Sequence, residues 1–161
     1  MKKIVYLVSI IFVLVVCFLV VFWPQVVQVN TKQYYQNQNI TDLNFDSYVE
    51  NNPETKVYFF CQENSNNCEY VNNVLFKAIA KNLIVDSLDF LYYVDLSNID
   101  TISYAKAERQ WGITNIPAFA IISGKADGGY TLKSSLSWDE SKPLTFDDLK
   151  KWLIDNGQWP N

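Results

Sequence analysis

The chain has 161 residues, 49% of them hydrophobic and 16% aromatic, with only 5 Gly and 5 Pro, which is material for one compact core and too little for a second domain. It contains no histidine. That removes Ser-His and Cys-His nucleophilic pairs and the commonest transition-metal ligand, so hydrolase and metal-centre readings fall away and no cofactor is expected. Lys2 and Lys3 are two of the 13 basic residues, whereas all 17 acidic ones lie beyond Phe22, leaving about −6 on the rest of the chain and arguing against nucleic acid or anionic lipid as a partner.

The uncharged run from Ile4 to Phe22 has 19 residues, about 28 Å of helix and so a bilayer-spanning length. A cleaved signal peptide would carry a shorter apolar stretch and a small-x-small site; Trp23-Pro24-Gln25 is neither. The reading is therefore a cytoplasmic tail at 1–3 and an uncleaved transmembrane anchor at 4–23. The positive-inside rule makes this a single-pass protein of the cell membrane with an extracytoplasmic C-terminal domain, and Trp23 suits the interface. Leu14-Val15-Val16-Cys17 is loosely similar to a lipoprotein box, but no small residue precedes Cys17 and the apolar run continues past it, so Cys17 reads as an apolar side chain within the span. Residues 24–40 show no sustained period and read as a polar stalk, with the domain occupying 41–161.

Thr41 or Asp42 can cap a short helix carrying Leu43, Phe45, Tyr48 and Val49, ended by Asn51-Asn52-Pro53. Lys56 to Cys61 is β-branched and aromatic with no breaker, apolar on both faces like a central strand of a covered sheet. A polar loop, Gln62 to Asn67, leads into a helix with Cys68 in its first turn and an apolar stripe at Val71, Val74, Leu75, Ala78 and Ile79. Phe90 to Asp95 is the next strand, followed by a helix from Thr101 to Trp111 that Gly112 stops. After Ile116-Pro117, Ala118 to Ser123 and Tyr130 to Leu136 should pair as a hairpin across the glycine-containing turn. The last helix opens at Thr145 with Asp148 at its third position, buries Phe146, Leu149, Trp152 and Leu153, and ends at Gly157.

A βαβ unit with cysteine at the strand-to-helix turn, then Trp111-Gly112-Ile113-Thr114-Asn115-Ile116-Pro117-Ala118-Phe119, then a hairpin and a helix, resembles the thioredoxin-like superfamily over about residues 41 to 157. The resemblance implies an α/β fold, a three-layer α/β/α sandwich around a mixed sheet. It also implies a cis bond before Pro117, with Ile116 and Pro117 lying against the backbone of a bound substrate. Ser134-Ser135-Leu136-Ser137-Trp138-Asp139 is more weakly similar to bacteriocin transport accessory proteins.

Members of that superfamily pair an attacking cysteine with a second one three positions on. Here the motif is Ser65-Asn66-Asn67-Cys68, a hydroxyl standing where the attacking thiol is expected. Cys61 is an addition at the strand end, and Tyr58 stands roughly where the superfamily has a buried acid. A strand end and the first turn of the next helix can come within the roughly 4.4–6.8 Å between Cα atoms that a disulfide needs, and a surface location keeps such a pair oxidised. Closing this loop would stabilise the fold by about 2.5 kcal/mol. Cys61 and Cys68 are thus a structural bridge, a redox-active pair or two free thiols. Glu63 and Glu69 flank them with no cation in the loop, which raises a thiol pKa. Two functions follow: exchange with an exported protein, a peptide or a partner oxidoreductase, or a redox-inactive accessory module that binds a peptide. Trp138 and Trp159, in less regular segments, are candidates for exposed contact.

Overall fold

The computed structural model describes residues 32–160, which form one compact unit. The expected anchor at 4–23 and Cys17 lie outside the described residues. Among the described residues no helix is long and apolar enough to cross a membrane.

Five strands form one mixed sheet. They are β1 (Tyr35–Thr41), β2 (Lys56–Cys61), β3 (Leu88–Asp95), β4 (Ala118–Gly124) and β5 (Tyr130–Ser137), in spatial order β1-β3-β2-β4-β5. β3 runs parallel to both β1 and β2, while β2 with β4 and β4 with β5 are antiparallel. The helices are α1 (Phe45–Asn51), α2 (Asn66–Tyr70, continued by a π-helical stretch Val71–Phe76 and by Lys77–Leu83), α3 (Thr101–Lys106, continued by a π-helical stretch Ala107–Trp111) and α4 (Phe146–Asp155).

Side-chain alternation along the strands splits the core in two. Val57, Phe59, Cys61, Leu91, Tyr93, Phe119 and Ile121 pack with α2 and α4, whereas Tyr58, Phe60, Val94, Ala118, Ala120 and Ile122 pack with α1 and α3. Helices cover both faces, which is the expected α/β/α layering. β2 is buried from Val57 to Cys61, as an apolar run without alternation requires.

Several expectations need correction. The stalk assigned to 24–40 overlaps β1, so the domain starts near residue 32 rather than 41. β1 is an edge strand of Gln and Asn residues facing water, and only Ile40 is fully buried on it, so no hydrophobic period marks it. Asn44, not Thr41 or Asp42, precedes α1, and Leu43 points out, 85% exposed. On α2, Val74 is exposed while Asn72, Phe76 and Ala80 are buried. The π-helical stretch widens the turn beyond the ordinary 3.6 residues, so the buried pairs recur every four positions: Val71 with Asn72, Leu75 with Phe76, Ile79 with Ala80.

The helix ends show two solutions to one problem. Gly112 stops α3 at φ +68°, and a Cβ there would lie 2.6 Å from Ser135 Oγ, so glycine is required twice over. Ile84 stops α2 at φ 57° with its side chain in solvent, an uncommon place for a β-branched residue. α4 has the expected capping box, with Thr145 accepting from Asp148 N–H and Asp148 accepting from Thr145 N–H.

Candidate functional site

The site lies at the C-terminal ends of the parallel strands. Cys61 closes β2, Cys68 is the third residue of α2, and the two form a disulfide with Cα atoms 5.9 Å apart. Of the three readings open to the pair, the two free thiols are not what is present, and the bond leaves the structural and the redox-active bridge. Both residues are buried, Cys61 at 1% exposure and Cys68 at 8%, so Cys68 is the residue nearer the surface.

The loop between them is short and locally fixed. Asn64 takes a left-handed conformation at φ 61°. Ser65 is the N-cap of α2, its hydroxyl accepting from Cys68 N–H at 3.5 Å. The hydroxyl at the position of the expected attacking thiol therefore has a structural use, because serine caps a helix well and closes an orphan donor. Gln62 N–H donates to Cys68 Sγ at 3.4 Å, and this contact would strengthen with a thiolate. The helix start favours negative charge at the same sulfur.

Cys61 has a different environment. It pairs in register with Asp95 on the parallel neighbour β3. Since Tyr93 shares the face of Cys61, Asp95, two residues on, projects to that face too. Asp95 Oδ1 accepts from Ser97 N–H at 2.9 Å and from Ser97 Oγ at 2.6 Å, with Tyr93 Oη at 3.5 Å. Ser97 Oγ in turn accepts from Glu63 N–H at 2.9 Å, and Leu96 N–H donates to Cys61 O at 2.8 Å. One carboxylate thus ties the end of β3 to the bridge loop.

The Tyr35 and Tyr93 rings stack at 4.8 Å. Burial pushes both hydroxyl pKa values up, and the negative charges of Glu63 and Asp95 push them further. Among the described residues neither Glu63 nor Asp95 has an ion-pair partner within 4.0 Å. The charge beside Cys61 disfavours a thiolate there, whereas Cys68 has one N–H donor, from Gln62, and the start of a helix.

Tyr58 does not belong to this site. It lies on the opposite face of β2 from Cys61, fully buried against Phe45, Tyr48 and Tyr92, with no partner for its hydroxyl among the described residues. Ile116 and Pro117 lead into β4, Ile116 half-buried and Pro117 buried, with a cis peptide between them. Pro117 O accepts from Trp138 N–H at 2.9 Å, extending the β4–β5 ladder by one residue. That bond turns the Trp138 side chain inward, and Trp138 is 5% exposed in the same cluster as both cysteines, not an exposed contact. Trp159 is half-buried with Lys150 Nζ 5.0 Å above its ring.

Asp95 and Ser97 carry no mark of a site in the sequence, and Trp138, expected as an exposed contact, is instead buried in the cluster of the bridge. Asp95-Leu96-Ser97 after a strand carries the signal of a side-chain-capped turn, but only the register of β3 shows that it sits beside Cys61.

No protein-family profile and no curated protein matches the sequence. Solved structures of thioredoxins are similar in fold. Chlamydomonas reinhardtii thioredoxin f2 shares 18% identity over 80% of this chain and 99% of that one, at a TM-score of 0.47. A Trichomonas vaginalis thioredoxin shares 12% over 78% and 98%, at 0.43, and one from Thermus thermophilus 12% over 78% and 88%, at 0.45. The chain's own strand order, with β4 antiparallel to β2 and helices on both faces, is a thioredoxin-like α/β fold.

Proposed function

We propose that the chain is a thioredoxin-like module held at the outer face of a membrane by its N-terminal span, residues 4–23, and that its Cys61–Cys68 bridge exchanges with thiols of exported proteins or of a partner oxidoreductase. The observation that carries this reading is the placement of the bridge: it joins the end of the central strand to the first turn of α2, with Pro117 leading into the next strand of the same sheet.

In the oxidised form a partner thiolate attacks Cys68 Sγ. The Cys61–Cys68 bond breaks, its electron pair leaves on Cys61, and that sulfur takes a proton from solvent. A second partner thiolate then attacks the partner sulfur of the mixed disulfide. It forms the partner's disulfide and releases Cys68 as a thiolate, which the helix start and Gln62 N–H stabilise. The bridge gains two electrons and the partner loses two. Ile116 and Pro117 supply the edge along which the partner's backbone lies.

A second reading has its own support. Ser65 is a cap rather than a nucleophile, both cysteines are buried, and carboxylates surround Cys61; these features suit a structural bridge in an accessory module that binds a peptide without redox chemistry. The reduction potential separates the two. Equilibration of the full chain with glutathione or dithiothreitol buffers, with thiols counted over the constant contribution of Cys17, should give a value above about −250 mV and exchange within seconds. A value below about −300 mV makes the bridge structural.

A further inference from the structure

The segment that follows β5 is fastened on both sides of the bridge. Trp138 N–H bonds Pro117 O at 2.9 Å. Asn67 Nδ2 donates to Glu140 Oε1 at 2.9 Å. The Tyr70 ring meets the Trp138 ring edge-on, with centroids 5.9 Å apart. Asn67 and Tyr70 flank Cys68 in the first turns of α2, so Trp138 to Glu140 passes across the turn that presents the bridge. Asp139 stiffens the segment by accepting from Ser141 N–H and Ser141 Oγ, and its carbonyl accepts from Lys142 N–H.

We infer that Trp138 to Glu140 is a strap over the bridge, and that Trp138 decides how fast an outside thiol reaches Cys68. Trp138 is buried, 5% exposed, and it shares a core cluster with both cysteines. Yet its Nε1 is buried with no acceptor among the described residues. A buried donor left unpaired opposes the closed position, and displacement of the ring gives that donor water or a partner's carbonyl. Opening of the ring is opposed by its burial and by one ring contact to Tyr70, and the segment that carries it is held by the backbone bond to Pro117 O and by a clasp, the hydrogen bond between the side chains of Asn67 and Glu140. A partner that engages the Trp138 indole Nε1–H while its thiolate approaches Cys68 is therefore selected over one that cannot.

The inference uses the same bridge as the function proposed above, but it is read as a rate, whereas that function is read as an equilibrium. The test is the rate at which dithiothreitol reduces the bridge of the full chain, trapped by alkylation and read by mass. Asn67→Ala and Glu140→Ala, which loosen the clasp without touching the core, should each raise the rate about threefold, and Trp138→Ala about tenfold, because exchange rate follows access to the attacked sulfur. The position of the equilibrium with the thiol buffer should not change in the two clasp variants. Equal rates in wild type, Asn67→Ala and Glu140→Ala would overturn the strap even if Trp138→Ala failed to fold. So would a faster rate fully matched by a shifted equilibrium, since the change would then lie in the bridge itself. A bridge too stable to act on proteins but whose reduction still quickens in the variants would sink the proposed function and leave the strap standing.

Discussion

The two sides of strand β2 are held by different means. On one side Cys61 is bonded covalently to α2, with Asp95 beside it and polar groups of Glu63, Ser97 and Tyr93 close by. On the other side Tyr58 and Phe60 sit in an aromatic cage with no covalent tie. Phe45 is 4.7 Å from Trp111 and 5.3 Å from Phe60, and Phe60 stacks on Trp111 at 5.5 Å. The Trp111 indole donates to Tyr130 Oη at 2.8 Å, and Tyr130 Oη donates to Gln110 Oε1 at 2.9 Å. Burial pushes the Tyr130 hydroxyl pKa up to about 12. The lesson is a difference in kind: both faces bury apolar side chains, Phe59, Phe76 and Phe119 on the bridge face among them, but the covalent tie and the carboxylate at the end of β2 belong to one face alone.

The sharpest way to break this comparison is to hollow the cage. Trp111 is 1% exposed and touches Phe45 and Phe60. Trp111→Ala should cost about 3–5 kcal/mol, the range for removing a fully buried large aromatic, and should be seen as a lower urea midpoint with the bridge still formed. Opening the bridge should cost less. Cys61→Ala with Cys68→Ala returns the loop entropy of a short closure, about 2.5 kcal/mol, with α2 and β2 still packed through Val57, Phe59, Val71 and Leu75. If the double variant loses more than Trp111→Ala, that order is wrong and the bridge is the main support of the sheet.

Tyr58→Phe sharpens the comparison from the opposite direction. Its hydroxyl is buried without a partner among the described residues, and burial, then the neighbouring Tyr48 and Tyr92, push its pKa far above the usual 10.0. Removing the hydroxyl should stabilise the chain by about 1 kcal/mol and leave the reduction rate of the bridge unchanged, since the two groups face opposite ways. The pH dependence has a definite sign. A folded-state pKa above the unfolded one means that the stability of the neutral phenol is complete below about pH 10 and is lost as pH climbs toward the folded-state value. Tyr35, Tyr48, Tyr93 and Tyr104 are shifted the same way by burial. Alkaline unfolding should therefore begin above about pH 10, less steeply in Tyr58→Phe.

How much of this was legible in the sequence follows from how far each signal reaches along the chain. β2, the β4–β5 hairpin and α4 were legible because unbroken apolar runs, a glycine turn and a capping box are local. The pair Cys61 and Cys68 was legible as a candidate because strand and helix periods bracketed it. β1 was not, since an edge strand whose Gln and Asn residues meet water has no period to find. Nor was the α2 stripe, because the π-helical stretch changes the period that the eye assumes. Asp95 and Trp138 needed tertiary information. Their place beside the bridge depends on strand register and on a bond to Pro117, 21 residues away in number.

The smallest effect tests whether charge on the bridge side acts on chemistry rather than on stability. Asp95→Asn keeps an oxygen able to accept from Ser97 N–H and Oγ, so the loop geometry held through Ser97 and Glu63 should persist and the urea midpoint should move little. What changes is the negative charge next to Cys61. With that charge gone, the thiolate left on Cys61 when the bridge opens is less disfavoured. The pH profile of dithiothreitol reduction should move toward lower pH in Asp95→Asn, with Glu63, held in the bridge loop through Ser97, still contributing negative charge and limiting the shift. The same substitution mirrored on the cage side, Asp46→Asn beside Lys106, should leave that profile where it is. A profile that moves equally in both variants would mean that the bridge senses the charge of the whole domain, and the two sides of β2 would then be electrically one.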